Sequence, residues 1–426
     1  MSLGNFLEQC RASGELKDVR ERVSLELELA RRCRQEFALA DNAVLRFSAV
    51  IGNDYQVAGN LFGSERRLLR ILAADSFASF SQRIESLMQA QQGTGAQRLR
   101  AAASRSRPSE GRIRHHHSLK SLRLLPAIIS WPRETKPYLT LPLIFVENPV
   151  TGEVTLGLYR AQVINEEDLA VNIAPGGRGA AALAAGFRSK RKVRVAIVLG
   201  AEPAWYWLAS APLPRQCSQA GLFSSLFGSP QLARGELTGI AVPAASEFLL
   251  EGDIDPTVQC VEGPFANHTG SYVRREDCPV MRVQRISCSD EPVMPVTVVG
   301  PPPSENIHLA RGHLCLIREL LRLDLPELVD IAMPALTAYH GVAIISLRNR
   351  YGRDNADIIH QLRSDDSPLK RSRLLLLVDE DVRVQMLEQC LWRAVNRLAE
   401  GRCSQHPYGI TIDATGVDPD WLITEA

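Results

Sequence analysis

The sequence predicts an α+β fold, and three changes of texture along its 426 residues predict it. Residues 3–40 carry the apolar spacing of two helices separated by a break. From Pro126 to Val299, short β-branched runs recur between Gly and Pro turn signals. After Pro301-Pro302-Pro303, helical and strand-like runs alternate, the pattern of a small α/β domain.

Phe6, Leu7 and Cys10 lie on one side of the opening helix, which Gly14 interrupts; Leu25, Leu27 and Leu29 then lead into the Arg31–Arg34 run. Val44–Val50 and Tyr55–Leu61 read as short strands, and Leu68–Leu72 begins another helix. Residues 91–118, rich in Gln, Gly, Ala, Ser and Arg, read as a loop or mobile linker. The central strand candidates are Leu139–Val146, Thr155–Val163, Val193–Leu199, Thr238–Val242, Val280–Ile286 and Val296–Val299, a texture of barrel or sandwich. The proline triplet favours a stiff extended link. Beyond it come helical Ile307–Leu323, strands Val342–Leu347 and Leu374–Val378, and helical Asn355–Leu362 and Val382–Leu398.

The charge balance, 49 basic against 48 acidic residues, asks for neither nucleic acid nor an anionic membrane as partner. No apolar run reaches the roughly 18 residues of a membrane span, and Met1–Gly14 has no secretory core, so a cytoplasmic protein is expected. Nine scattered cysteines without a close pair read as reduced thiols. The run His115-His116-His117 sits in a basic stretch and reads as solvated loop rather than metal site, because consecutive side chains diverge.

Seven segments in order resemble the UbiD carboxy-lyase family. They are Leu3–Leu16; Asn60-Leu61-Phe62-Gly63-Ser64 followed by Arg66; Asn148-Pro149 to Gly152 with Gly157-Leu158-Tyr159-Arg160; and Leu199-Gly200, Pro203 and Ala220-Gly221. The others are Val242-Pro243-Ala244 with Glu247 and Glu251-Gly252; Glu262-Gly263-Pro264-Phe265 with Thr269-Gly270; and Val378-Asp379-Glu380-Asp381. The resemblance implies an N-terminal α/β segment over 1–120, containing the 91–118 linker. It implies a split, flavin-reductase-like β-barrel over 121–300, a linker and connecting helix over 301–330, and a C-terminal α/β oligomerisation domain over 331–426. It also implies decarboxylation of aromatic or unsaturated acids with prenylated FMN, a divalent Mn or Mg ion and often potassium, in a homodimer or higher oligomer.

The implied cofactor site is degenerate here. Thr155 stands where the family's first metal ligand, an Asn, is expected. Residues 172–179 (NIAPGGRG) hold no His, Asp or Glu where the second falls, and Gln216 takes the place of the third, a Glu. Neutral Thr and Gln do not offset a divalent ion beside a phosphate as an anionic set would. No bound metal and no cofactor is therefore the expectation, with Arg178 or Arg188 as candidates to replace the metal's charge and Arg348 in the place of a phosphate-binding Lys. Of the implied catalytic trio, Arg160 and Glu262 are kept, while the second acid is Asn267, which cannot exchange a proton at neutral pH. Two functions follow. One is an atypical decarboxylase in which Arg160 grips a small carboxylic acid and Glu262 protonates the product. The other is a degenerate member that partners an active paralogue or binds a ligand without turnover, with Arg160 and Glu262 retained as a packing ion pair.

Overall fold

The computed structural model describes residues 1–337, 341–348, 352–399 and 401–416. The chain forms two compact units. The first comprises 1–74, 105–211 and 218–309; the second comprises 75–104, 212–217 and 310–426. Both mix helices with sheets, so the α+β class holds.

In the first unit, Ser2 caps the helix Leu3–Ala12, its hydroxyl accepting the Asn5 N–H. A four-stranded sheet follows, in the order Leu16–Val19, Val44–Phe47, Gln56–Gly59 and Val293–Val296. Its last strand, parallel to Gln56–Gly59, comes from the far end of the central region. The Asn60–Ser64 segment is structural. Its Phe62 N–H donates to buried Glu305 at 2.9 Å, and Ser64 caps the helix Glu65–Ile71. The buried arginine behind it is Arg67, bonded to Asn42, whereas Arg66 is exposed.

The central region builds a nine-stranded sheet. Its path runs Tyr138–Leu139, Ala161–Val163, Asp168–Val171, Tyr272–Cys288, Phe248–Ala266, Val193–Leu199, Leu143–Glu147 and Val154–Leu158, and His117–Leu119 also pairs with Tyr272–Cys288. The path has two free ends, and no described pair closes it into a barrel. Its spine is a hairpin of 19 and 17 residues whose register shifts four times, between Glu251 and Phe265. Those interruptions break the alternating burial pattern, and the sequence consequently reads as short strands. Val195, Ile197, Leu199, Leu250 and Met281 lie in the core that this sheet covers. Three helices there, Arg178–Ser189, Ala204–Ser210 and Gln219–Phe227, are not anticipated by apolar spacing; the first is largely Ala and Gly, and six of the second's seven residues are buried, which removes the amphipathic signal.

In the second unit, the sheet order is Leu328–Ala332, Val342–Leu347, Leu374–Asp379, Gly409–Asp413 and Cys403–His406, with parallel pairing at its centre. The stretch 91–118, expected as loop or mobile linker, is a correction: Gly95–Arg105 is helical. Ala, Leu and Arg favour helix, Thr94 and Gln97 cap one another's N–H groups, and Asp324 accepts the Gly95 N–H at 2.8 Å. The helix expected over Val382–Leu398 is shorter, Leu387–Asn396, and Arg393 ties it to Asp379 and Asp381 of the Val378–Asp381 motif. His115 is likewise not a solvated loop residue: its ring bridges the Ser287 hydroxyl at 2.9 Å and the Ser246 carbonyl at 2.8 Å. Among the described residues, no helix is long and apolar enough to cross a membrane.

Candidate functional site

The run expected as one strand over Thr155–Val163 breaks at Tyr159-Arg160, and the break places Arg160. Val154–Leu158 pairs with Leu143–Glu147 at one end of the nine-stranded path, whereas Ala161–Val163 pairs near the other end. Just two residues of chain, Tyr159 and Arg160, separate them. Gly157 makes room for the turn, since a Cβ there would lie 2.1 Å from the Tyr159 ring.

Arg160 faces Glu262 in a two-pronged ion pair. Its Nε donates to Oε1 at 2.7 Å and its Nη2 to Oε2 at 2.8 Å. This side-by-side geometry is the strong form of an arginine–carboxylate contact. The Glu262 side chain has no solvent exposure, while 20% of Arg160's is exposed. Asn172 adds a third donor, its Nδ2 reaching Glu262 Oε2 at 2.8 Å, and its own backbone N–H donates to the Arg160 carbonyl at 3.1 Å. Arg160, Glu262 and Asn172 thus close a ring of hydrogen bonds. Arg160 Nη1 donates to no group among the described residues.

Aromatic residues wall this ring. The guanidinium lies over Phe265, 4.3 Å from its centroid, and Phe265 packs on Tyr138 at 4.7 Å. The Tyr138 hydroxyl is buried beside Glu262, and burial, with the Glu262 charge nearby, pushes it well above the usual phenol range. Gln162, opposite Tyr138 across the strands, accepts the Gly263 N–H at 3.2 Å and leaves its buried Nε2 unpaired. Gly263 has φ 111° and would meet the Val273 carbonyl at 2.7 Å if it carried a Cβ, so the position after Glu262 requires glycine. A second carboxylate, Glu134, accepts from the Ser130, Trp131 and Ala266 N–H groups. Burial raises its pKa; those three N–H groups, and less strongly the charge of Arg160, counter that rise.

The other expected site residues are placed as follows. Asn267 is in the hairpin turn, where its Oδ1 accepts the His268 N–H at 2.7 Å. Thr155 spends its hydroxyl on the Val146 carbonyl at 3.4 Å. The amide that does meet this strand is Gln219, whose Oε1 accepts the Leu156 N–H at 2.9 Å; Gln216 belongs to the second unit. Arg178 opens the helix Arg178–Ser189, and Arg348, also in the second unit, pairs with Glu380. Among the described residues no three His, Cys, Asp or Glu side chains converge as a metal site. Thr155 is neutral and only partly exposed, and its oxygen offers a divalent ion a weaker donor than the carboxylates such ions prefer. Asn172 lies in a segment that carries no metal-ligand motif, and Phe265, although it stands in the Glu262–Phe265 motif, has no chemistry that marks it in the sequence. Tyr138 carried no sequence signal.

The fold and the motifs have known counterparts. The evolved dimeric form of the UbiD-class enzyme HmfF from Pelotomaculum thermopropionicum, in complex with prFMN, matches with TM-score 0.80 and 21% identity, over 100% of this chain and 97% of that one. Vanillic acid decarboxylase of Sedimentibacter hydroxybenzoicus, in closed form, matches with TM-score 0.83 and 22% identity, over 100% and 94%. An uncharacterized protein of Archaeoglobus fulgidus is 29% identical over 416 residues, 94% of this chain and 85% of that protein. Another, of Aquifex aeolicus, is 28% identical over 412 residues, 92% and 83%. The N-terminal, Rift-related and C-terminal domain models of 3-octaprenyl-4-hydroxybenzoate carboxy-lyase match residues 7–87, 102–302 and 312–403 in turn. With all three domains present in order, the chain belongs to the UbiD family.

Proposed function

We propose that the protein is an atypical UbiD-like decarboxylase, removing CO2 without oxidation from a small aromatic, unsaturated or β-carbonyl carboxylic acid, and that it does so without prenylated FMN. The observation that carries this reading is Arg160: two donors held by Glu262, a third unclaimed, and an aromatic ring beneath the guanidinium. An arginine so fixed can orient a planar carboxylate without reorganising. Loss of CO2 leaves an electron pair on carbon, so the substrate must carry its own sink, a β-carbonyl or a phenol that can transiently lose aromaticity. Glu262 is the acid placed to return a proton to that carbon. The prenylated FMN of the family would supply that sink in other members; the neutral Thr155 and the Gln216 substitution argue against it here.

We further propose that the nine-stranded sheet is a split barrel. Two residues, Tyr159 and Arg160, link a strand at one end of its path to a strand beside the other end. Eight strands laid flat at about 4.8 Å spacing would separate those ends by roughly 30 Å, and so short a link spans about a third of that. Residues 121–300 as barrel, 301–330 as linker and helix, and 331–426 as oligomerisation domain remain the division we favour, in a cytoplasmic homodimer or larger assembly. Leu391, Trp392 and Val395, exposed on the helix Leu387–Asn396, support self-association. The alternative, a catalytically silent subunit paired with an active paralogue, draws on Asn267, whose side chain serves the turn rather than proton transfer.

The test is a CO2-release screen of the purified protein, without added flavin, on aromatic, unsaturated and β-keto acids. Turnover that disappears in Arg160→Ala supports the decarboxylase. Folded protein inactive on every class, yet activated by flavin and Mn, would overturn the cofactor-free reading; inactivity in both conditions favours the silent subunit.

A further inference from the structure

We propose that carboxylate binding at Arg160 is coupled to uptake of one proton by Glu262, and that this is the proton which later replaces CO2 on the substrate carbon. The inference rests on the decarboxylase reading above and adds to it the order of events: the proton enters with the substrate.

The geometry that leads there is the ring. One cation, Arg160, already carries one carboxylate on its Nε/Nη2 edge. A substrate carboxylate can approach only at the end that bears Nη1, which places two carboxylates on one guanidinium. Glu262 cannot step aside into water, because it has no exposure and Asn172 holds its Oε2 while anchored through its own N–H to the Arg160 carbonyl. Two like charges confined in one site do not both stay ionised; one takes a proton.

The surrounding groups leave Glu262 as the acceptor. Tyr138 is pushed up by burial and stays neutral. Cys278 is pushed up to about 12, and Cys260 is raised too, both by burial. Arg275, paired with Glu262 in strand register, spends its Nε on Asp277 at 2.9 Å and its Nη1 on the Ile173 carbonyl at 2.7 Å, so its charge is offset by Asp277. Glu134 is the competing acid among the described residues: burial raises it, but its carboxylate is tied to three backbone N–H groups, which favour the charged form. The balance then closes. The substrate enters as an anion with one proton from solvent on Glu262. The C–CO2 bond breaks and leaves its electron pair on carbon, the Glu262 O–H bond breaks and the C–H bond forms, and Glu262 returns to Arg160 as a carboxylate while CO2 departs.

The experiment is isothermal titration of the full-length protein with benzoate, in two buffers of different ionisation enthalpy at pH 7. The wild type should take up roughly one proton per benzoate, and its benzoate affinity should rise about tenfold for each pH unit lowered. Glu262→Gln should bind benzoate more tightly, with no proton uptake. Should that variant fail to fold, the wild-type pH series still tests the uptake, and Glu134→Gln, by keeping it, tests the assignment. Arg160-dependent binding without proton uptake would overturn the coupling and leave the decarboxylase reading intact. Uptake that survives in Glu262→Gln but vanishes in Glu134→Gln would overturn the assignment to Glu262. Benzoate bound equally by Arg160→Ala, or not bound at millimolar concentration, would remove the carboxylate site itself and the coupling with it.

Discussion

The guanidinium of Arg160 lies 4.3 Å over the ring of Phe265 while donating twice to Glu262 in its own plane. Face and edge are thus both engaged, and the two halves of the ion pair are not equivalent. Arg160→Ala strands a carboxylate in a site without solvent, whereas Glu262→Gln keeps shape and leaves a cation that is 20% exposed. Denaturant melts should therefore show Arg160→Ala losing about 3–5 kcal/mol and Glu262→Gln clearly less. Equal losses would mean that the pair serves packing alone. In turnover, Arg160→Ala should cost about a hundredfold or more, some 3 kcal/mol of transition-state binding.

Glu305 predicts a pH dependence. It is buried, its Oε2 accepts the Phe62 N–H, and burial raises its pKa above the usual carboxylate range, with the Thr297 side chain and the Phe62 N–H countering the rise. A carboxyl raised on folding stabilises the protein below its unfolded pKa, near 4.3, and that contribution is lost as pH rises through the folded value. Glu305→Gln keeps the shape without the charge. Thermal melts from pH 5 to 9 should show the variant gaining on the wild type as pH rises; a constant gap would rule out titration of Glu305 in this range.

Metal and flavin content are directly measurable. Elemental analysis after dialysis should find Mn and Mg far below one per chain. Co-expression with a flavin prenyltransferase should leave the protein without stoichiometric flavin. Full occupancy of either would mean that the positions around Thr155 and Gln216 hold the cofactor by another donor set.

Asn267 supplies a turn, since its Oδ1 accepts the His268 N–H. Asn267→Asp keeps that oxygen and should fold like the wild type, whereas Asn267→Ala should cost about 0.5–1.5 kcal/mol. Asn267→Glu restores the family's acid and should not raise turnover appreciably. A large gain would show that the second acid still has a place in the site.

For the proposed assembly, Trp392→Ser with Val395→Ser removes exposed apolar surface from the helix Leu387–Asn396 without entering its buried face, which holds Cys390 and Ala394. Sedimentation should show a smaller species or weaker association with the fold kept. An unchanged oligomer would place the interface elsewhere.

The sequence revealed elements wherever a single period persisted: Val193–Leu199, Asn355–Leu362 and Val342–Leu347 stand at the expected residues. It concealed the long hairpin, because bulges at Gly252 and Glu262 reset the alternation. It concealed the helix Arg178–Ser189 as well, since Ala and Gly carry little amphipathic contrast. The family resemblance named Arg160 and Glu262 together, and they meet. Asn172 joins them through a strand pairing that begins at Ala161 and Val171, a tertiary relation that no linear spacing announces.

The strand Val293–Val296 completes a sheet whose other members end by Gly59. More than two hundred residues must therefore be synthesised before Gln56–Gly59 gains its last neighbour. Pairing over such a sequence separation carries a loop-closure cost that local helices do not, and such contacts form late. On the ribosome, the N-terminal sheet would emerge with one edge open and Val57 and Ala58, both buried in the finished protein, left unsheltered. Truncations that stop before Val293 should accordingly aggregate rather than yield a stable N-terminal fragment.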